Sequence, residues 1–164
     1  MTVRPVRLFG DPVLVSEAQE VTEFDAGLQQ LVADMFETMA AEEGVGLAAN
    51  QVGVLKRVFV YNDGEKQGVV INPKWKAIGE DTVEEQEGCL SIPGVFADVQ
   101  RHAKVAVTGF DEHGNEIEFE ADGLLSRCVQ HETDHLDGVL FLRRLTGDRR
   151  KEAMATLRKQ EWFA

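Results

Sequence analysis

Gln130-His131-Glu132-Thr133-Asp134-His135 carries the pattern H-E-x-x-H, and the reading of the whole chain works outward from it. Residues four apart on an α-helix lie on one face, so His131 and His135 can offer imidazole nitrogens to a single metal ion. Glu132 stands beside them, where a carboxylate can take the proton of a metal-activated water. Five letters can also arise by chance, and two helical histidines can be surface or core residues, so the motif has to be judged with the rest of the chain.

Around it, Leu124, Leu125, Cys128, Val129, Glu132 and His135 predict a helix from about 122 to 136, ending near Gly138. Leu28, Leu31, Val32, Met35, Phe36 and Met39 predict an amphipathic helix from about Asp25 to Glu42, stopped by Gly44. A last helix is expected from Gly147 to the C-terminus. Between these lie strand-like runs at 57–61, 69–71, 74–78 and 82–86, with Asn62-Asp63-Gly64 as a turn and Pro73 as a break. Residues 105–110 and 116–120 alternate about Asp111-Glu112-His113-Gly114-Asn115, which reads as a hairpin with an exposed His113 at its tip. Residues 5–15 read as an extended opening with a turn at Asp11-Pro12. The expected class is α+β, with residues 1–164 forming a single domain: antiparallel β-sheets around a central helix carrying H-E-x-x-H, with further helices toward both ends.

Composition bounds the partners. Hydrophobic residues make up 43% and charged residues 28% of the 164, ordinary values for a globular protein. No segment suits a secretory signal or a membrane span, so the expected compartment is cytoplasmic. There Cys89 and Cys128 would stay as free thiols. Residues 1–142 carry 10 basic against 26 acidic groups, whereas 143–164 carry 7 against 3. The body should therefore repel DNA, while the tail is either a solvated helix whose basic end offsets its own dipole or an RNA-facing element.

A catalytic site of this kind needs a third protein ligand. Cys89, in Glu87-Gly88-Cys89-Leu90-Ser91, is one candidate and His102 a weaker one. Cys128 shares the helical side of His131 and reads better as packing beneath the site. Gly44-Val45-Gly46-Leu47-Ala48-Ala49-Asn50-Gln51 reads locally as a glycine helix stop followed by small residues. It lacks the ending of a phosphate loop, and Gln51 is its one side chain able to donate to a developing oxyanion.

G-V-G-L-A-A-N-Q at 44–51, E-G-C-L-S at 87–91 and Q-H-E-T-D-H at 130–135 together resemble the three signature motifs of peptide deformylase, in that family's order and with similar spacing. Phe9-Gly10-Asp11-Pro12-Val13-Leu14 resembles its N-terminal segment. The resemblance implies Cys89, His131 and His135 as metal ligands and Glu132 as the acid/base. It implies Gln51 and the Leu90 backbone N–H as oxyanion donors, with Gly46 placing its backbone against the formyl group. Val45, Leu124 and Cys128 are expected to line the methionine pocket. The implied reaction removes the formyl group of N-formylmethionyl nascent peptides in cotranslational processing. The implied metal is one divalent ion per chain, Fe2+ first, with Ni2+, Co2+ or Zn2+ able to substitute, and oxygen sensitivity at Cys89 would follow. Some relatives dock this C-terminal region on the ribosome, which the basic tail would suit. Val95 and Phe96 stand where many relatives carry polar or basic residues.

Two other readings remain open on residues alone. One is an H-E-x-x-H peptidase cutting internal bonds. The other is a closed structural site built from Cys89, Cys128, His131 and His135.

Overall fold

A computed structural model describes residues 2–163. Helix α1 (Ala26–Ala41) starts where the Asp25 carboxylate accepts the Leu28 N–H at 2.9 Å, a cap worth about 1 kcal/mol. Its apolar stripe, Leu28, Leu31, Val32, Met35 and Met39, is buried. Strands β1 (Gly46–Ala48), β2 (Val58–Asn62), β3 (Gln67–Ala77), β6 (Lys104–Phe110) and β7 (Glu116–Asp122) form one antiparallel sheet in the order β1-β2-β3-β6-β7. Strands β4 (Thr82–Glu87) and β5 (Ala97–His102) form a separate antiparallel pair.

The period-two alternation of β2 decides what covers each face. Val58 and Val60 pack with α1, while Phe59 points the other way onto Leu125, Val129 and Leu136 of helix α2 (Gly123–Leu136). Helix α2 touches β1, β2, β3, β5 and β7. A third apolar cluster joins Ile92, Val95 and Val99 to Phe141, Ala153 and Leu157, and so seats helix α3 (Gly147–Arg158) beside the β4–β5 pair. The expected α+β class with a central H-E-x-x-H helix is the observed one. Among the described residues no helix is long and apolar enough to cross a membrane, and both cysteines are free thiols.

Several expected boundaries are corrected. Pro73 does not end a strand. The two runs expected at 69–71 and 74–78 are one strand, β3, with an irregularity between Ile71 and Lys74. Asn72 takes a left-handed φ of 53° there, and its side chain bonds both the N–H and the carbonyl of Val21. The glycine-rich run at 44–48 holds a short strand, β1, and β5 is a strand that the alternation of apolar letters did not reveal. Helix α3 stops at Arg158, and a separate short turn follows at Glu161–Phe163.

One ion pair ties the N-terminal segment to α1. Asp34, its side chain 6% exposed, accepts from the Arg4 guanidinium at 2.9 Å, Gln30 Nε2 at 2.8 Å and Thr2 N–H at 2.9 Å. The Gln30 hydrogen bond foremost, with Arg4 and Thr2, holds its carboxyl below the usual carboxylate range against the opposing effect of burial. A depressed carboxyl stabilises the fold above the unfolded value of about 3.9 and loses that contribution as pH falls through the folded one. The gap in Tm between the protein and Asp34→Asn should thus be widest at neutral pH and close as acidification passes through the lowered folded value. A gap that widens with acid, in calorimetry across that range, would contradict this assignment.

Candidate metal centre

All of Gln130, His131, Glu132, Thr133, Asp134 and His135 lie at 9% exposure or less, so the polar side of α2 does not face water. Buried polar groups need partners; several of these have specific ones, while Glu132 Oε1, Thr133 Oγ1 and His135 Nδ1 have none among the described residues. His135 Nε2 lies 3.2 Å from His131 Nε2 and 3.3 Å from Cys89 Sγ. One ligand atom from each of Cys89, His131 and His135 falls in a cluster within 4.8 Å. Separations of 3.2 and 3.3 Å are short enough for these donors to share one cation at ligand distances of about 2.0–2.3 Å. A soft thiolate with two imidazoles suits a first-row divalent metal.

The donor direction of His131 is fixed from behind. With Nδ1 as the donor to Glu87 Oε1 at 2.9 Å, the tautomer a metal-bound ring would take, Nε2 faces the cluster. Against the opposing effect of burial, the contacts with Cys89 and Glu87 push His131 well above the ordinary histidine value, so a metal would have to displace a proton there. Arg101 grips Glu87 with two parallel bonds of 2.8 and 2.9 Å, and Arg127 adds a third at 2.6 Å. Burial alone would raise the Glu87 carboxyl, but Arg101 and His131 hold it down at about 2. Burial and the facing His131 push His135 well below the ordinary histidine value, which favours the neutral ring a metal requires. Sequence reasoning gave Glu87 no role of its own and passed over Arg101, Arg127 and Asp134. Arg127, four residues before His131 on the same helix face, and Arg101, two after Val99 in an alternating run, were the signals on offer.

A cavity of about 470 Å³ opens in front of the cluster. Its walls include Val45, Gly46, Gln51, Cys89, Leu90, Leu124, Cys128, His131 and Glu132. Gln51 Oε1 accepts the Ala48 N–H at 3.0 Å, and its Nε2 donates to Ser91 Oγ at 3.0 Å while lying 3.7 Å from Cys89 Sγ. The amide N–H2 therefore faces the cluster. Leu90 follows Cys89 in a turn closed by Ile92 N–H to the Cys89 carbonyl at 2.9 Å. Glu132 is 4% exposed, and its Oε1 has no protein partner among the described residues. Burial pushes its carboxyl up to about 7 against the pull of His131, the range in which a carboxyl can both take and return a proton.

Gly46 shows why that position tolerates nothing larger. A Cβ there would stand 2.7 Å from both Glu132 Oε2 and Cys128 Sγ. The edge strand β1 thus brings bare backbone directly over the face of α2 that carries Glu132. Leu124, 50% exposed, sits at the cavity mouth opposite the core, and Val45 is similarly open at 36%.

The remaining candidates fall elsewhere. His102 packs against Trp75 with ring centroids 5.6 Å apart and lies outside the ligand cluster. Cys128 lies outside it too. Its Sγ is directed to the Val45 carbonyl at 3.8 Å, and burial pushes the thiol well above its ordinary value. The four-ligand structural site is therefore not assembled among the described residues. His113 is exposed on the β6–β7 hairpin, as expected, and contacts Gln29 at 3.3 Å.

Comparison with known proteins converges on one family. Residues 3–151 match the family model for polypeptide deformylase. The chain is 58% identical to peptide deformylase 1 of Corynebacterium efficiens, over 99% of both chains. It is 49% identical to a peptide deformylase of Acidothermus cellulolyticus, over 99% of this chain and 89% of the relative. Among solved structures, the peptide deformylase of Ehrlichia chaffeensis in complex with actinonin superposes with a TM-score of 0.90 and 41% identity, covering 98% of this chain and 99% of that one.

Proposed function

The chain belongs to the polypeptide deformylase family, and from that premise we propose a hydrolase that removes the N-formyl group from the N-terminal formylmethionine of newly synthesised polypeptides, releasing formate. Residues 1–164 act as one catalytic domain. The observation that carries the reading is the convergence of a Cys-His-His donor set, a buried carboxyl and an amide donor on one cavity.

Cys89, His131 and His135 would hold one divalent ion, with iron(II) first among the candidates. When bound, such an ion supplies Lewis acidity toward water and a carbonyl oxygen. The chain's own residues do the rest. Glu132 takes a proton from the attacking water at its carboxylate and returns it to the leaving amine. Gln51 Nε2 and the Leu90 N–H aim at the place where the formyl oxygen gains negative charge, each donor being worth about 3 kcal/mol. Gly46 keeps the approach to Glu132 narrow, which fits a formyl carbon bearing only hydrogen better than an acetyl group. Val45, Leu124 and Cys128 offer apolar surface to the methionine side chain.

Exposed basic groups on α3, Arg150, Lys151 and Arg158, give this reading a ribosomal RNA surface, whereas Arg149 already pairs with Glu84. The deciding assay is formate release from a formyl-Met tripeptide by protein loaded anaerobically with iron(II) or nickel. Release without cleavage of internal peptide bonds is expected. Internal cleavage without formate would install the peptidase reading instead. The same preparation should co-sediment with ribosomes, and binding that persists unchanged in Arg150→Glu/Lys151→Glu would remove the basic surface from the proposal.

A further inference from the structure

Behind the cavity, the charges on Glu87 and Arg101 continue into a chain that reaches the surface. Arg101 Nη1 donates to Asp134 Oδ2 at 2.7 Å. Asp134, side chain 9% exposed, is also gripped by Arg144, whose Nε donates to the same Oδ2 at 3.1 Å and whose Nη2 donates to Oδ1 at 2.7 Å. The line therefore runs Arg144, Asp134, Arg101, Glu87, His131, and every link is a charge-assisted hydrogen bond. Two of its links are two-pronged, and such a fork fixes the plane of the carboxylate it holds as well as its position.

We propose that Arg144 is a positioning residue for the metal centre: it fixes Asp134 and thereby the arginine–glutamate pair that aims His131 Nε2 at Cys89 and His135. The inference rests on the proposed ligand set and adds to it a residue with no contact to the cavity. Asp134 lies one turn from His131 along α2, so without Arg144 its carboxylate can rotate toward solvent. Arg101 then loses its second anchor, and its fork on Glu87 loosens while Arg127 still holds Glu87 Oε2. Arg144 belongs to the turn at Phe141–Arg144, just before α3, and its side chain is 50% exposed. The guanidinium end of the pair is half-exposed and Asp134 keeps Arg101 when Arg144 is removed, so positioning and folding can be separated by experiment.

Arg144→Gln and Arg144→Lys should be compared with the unaltered protein by titrating cobalt(II) against a competing chelator. Visible absorption of the bound cobalt and Tm are read on the same samples. Groups that orient a ligating histidine typically change metal affinity by about 10–100-fold, and a residue further out is placed at the lower end of that range, about 10-fold. Arg144→Gln is expected to weaken cobalt binding by that factor and broaden its bands, with Tm nearly unchanged. Lysine keeps the charge without the fork and should recover only part of the affinity. Unchanged affinity and spectrum in both variants would overturn the inference. A failure of the unaltered protein to bind cobalt, or a thiolate-to-cobalt band surviving in Cys89→Ala, would instead overturn the ligand set beneath it.

Discussion

Glu132→Gln is expected to lower formate release by about 10²–10⁴-fold while leaving one metal ion per chain in place. The two side chains have nearly the same volume, so the cavity and the gap beside Gly46 are preserved. What disappears is a group that can accept a proton from water and then deliver it. The position of the carboxylate suits that transfer, since it is 4% exposed, its Oε1 lacks a protein partner among the described residues, and it borders the cavity. Single-turnover formate release, measured with metal content, separates the two functions. A loss below about tenfold would assign the proton transfer to another group. A parallel loss of metal would make Glu132 a structural support of His131.

The largest effect on stability is expected at Arg101. Its side chain is 5% exposed and bonds two carboxylates, Glu87 and Asp134, which are 4% and 9% exposed. Removing one partner from a buried ionic cluster typically costs about 3–5 kcal/mol, because the remaining charges stay desolvated without compensation. Arg101→Leu should therefore lower the unfolding free energy in urea by about that amount, with a Tm drop of about 6–20 °C for a domain of this size. Arg101→Lys should recover only part of it, since a single ammonium cannot span both Glu87 oxygens and Asp134. A cost of about 1 kcal/mol or less would mean that water enters and solvates the cluster once the arginine is gone.

The two histidines and Glu132 were legible at once, because helical spacing is a local property and α2 keeps it. Helix α1 was legible for the same reason, with its cap at Asp25 where the sequence placed its start. Strand β1 was hidden because three residues, the first of them a glycine, are too few to show alternation; it exists through pairing of Gly46–Ala48 with Phe59–Tyr61. Strand β5 does alternate, with Val99 and Arg101 turned inward, but an inward arginine breaks the pattern of apolar letters that marks a half-buried strand. Pro73 misled because proline usually interrupts a ladder, whereas here an irregularity absorbs it.

The choice of Cys89 as third ligand came from the combined resemblance of three motifs, since its immediate neighbours fit a small buried residue equally well. What the sequence by itself determined is the chemistry on offer: which side chains can ligate, which can carry a proton, and that two histidines share one helix face. The tertiary structure decided their use. The register of β4 against β5 sets Glu87 beside Arg101, and the packing of that pair on α2 turns Glu87 toward His131 and Arg101 toward Asp134. These contacts join residues 14 to 44 positions apart. Backbone periodicity reaches only a few residues along the chain, whereas pairing a buried charge depends on which strand or helix lies next to it in space.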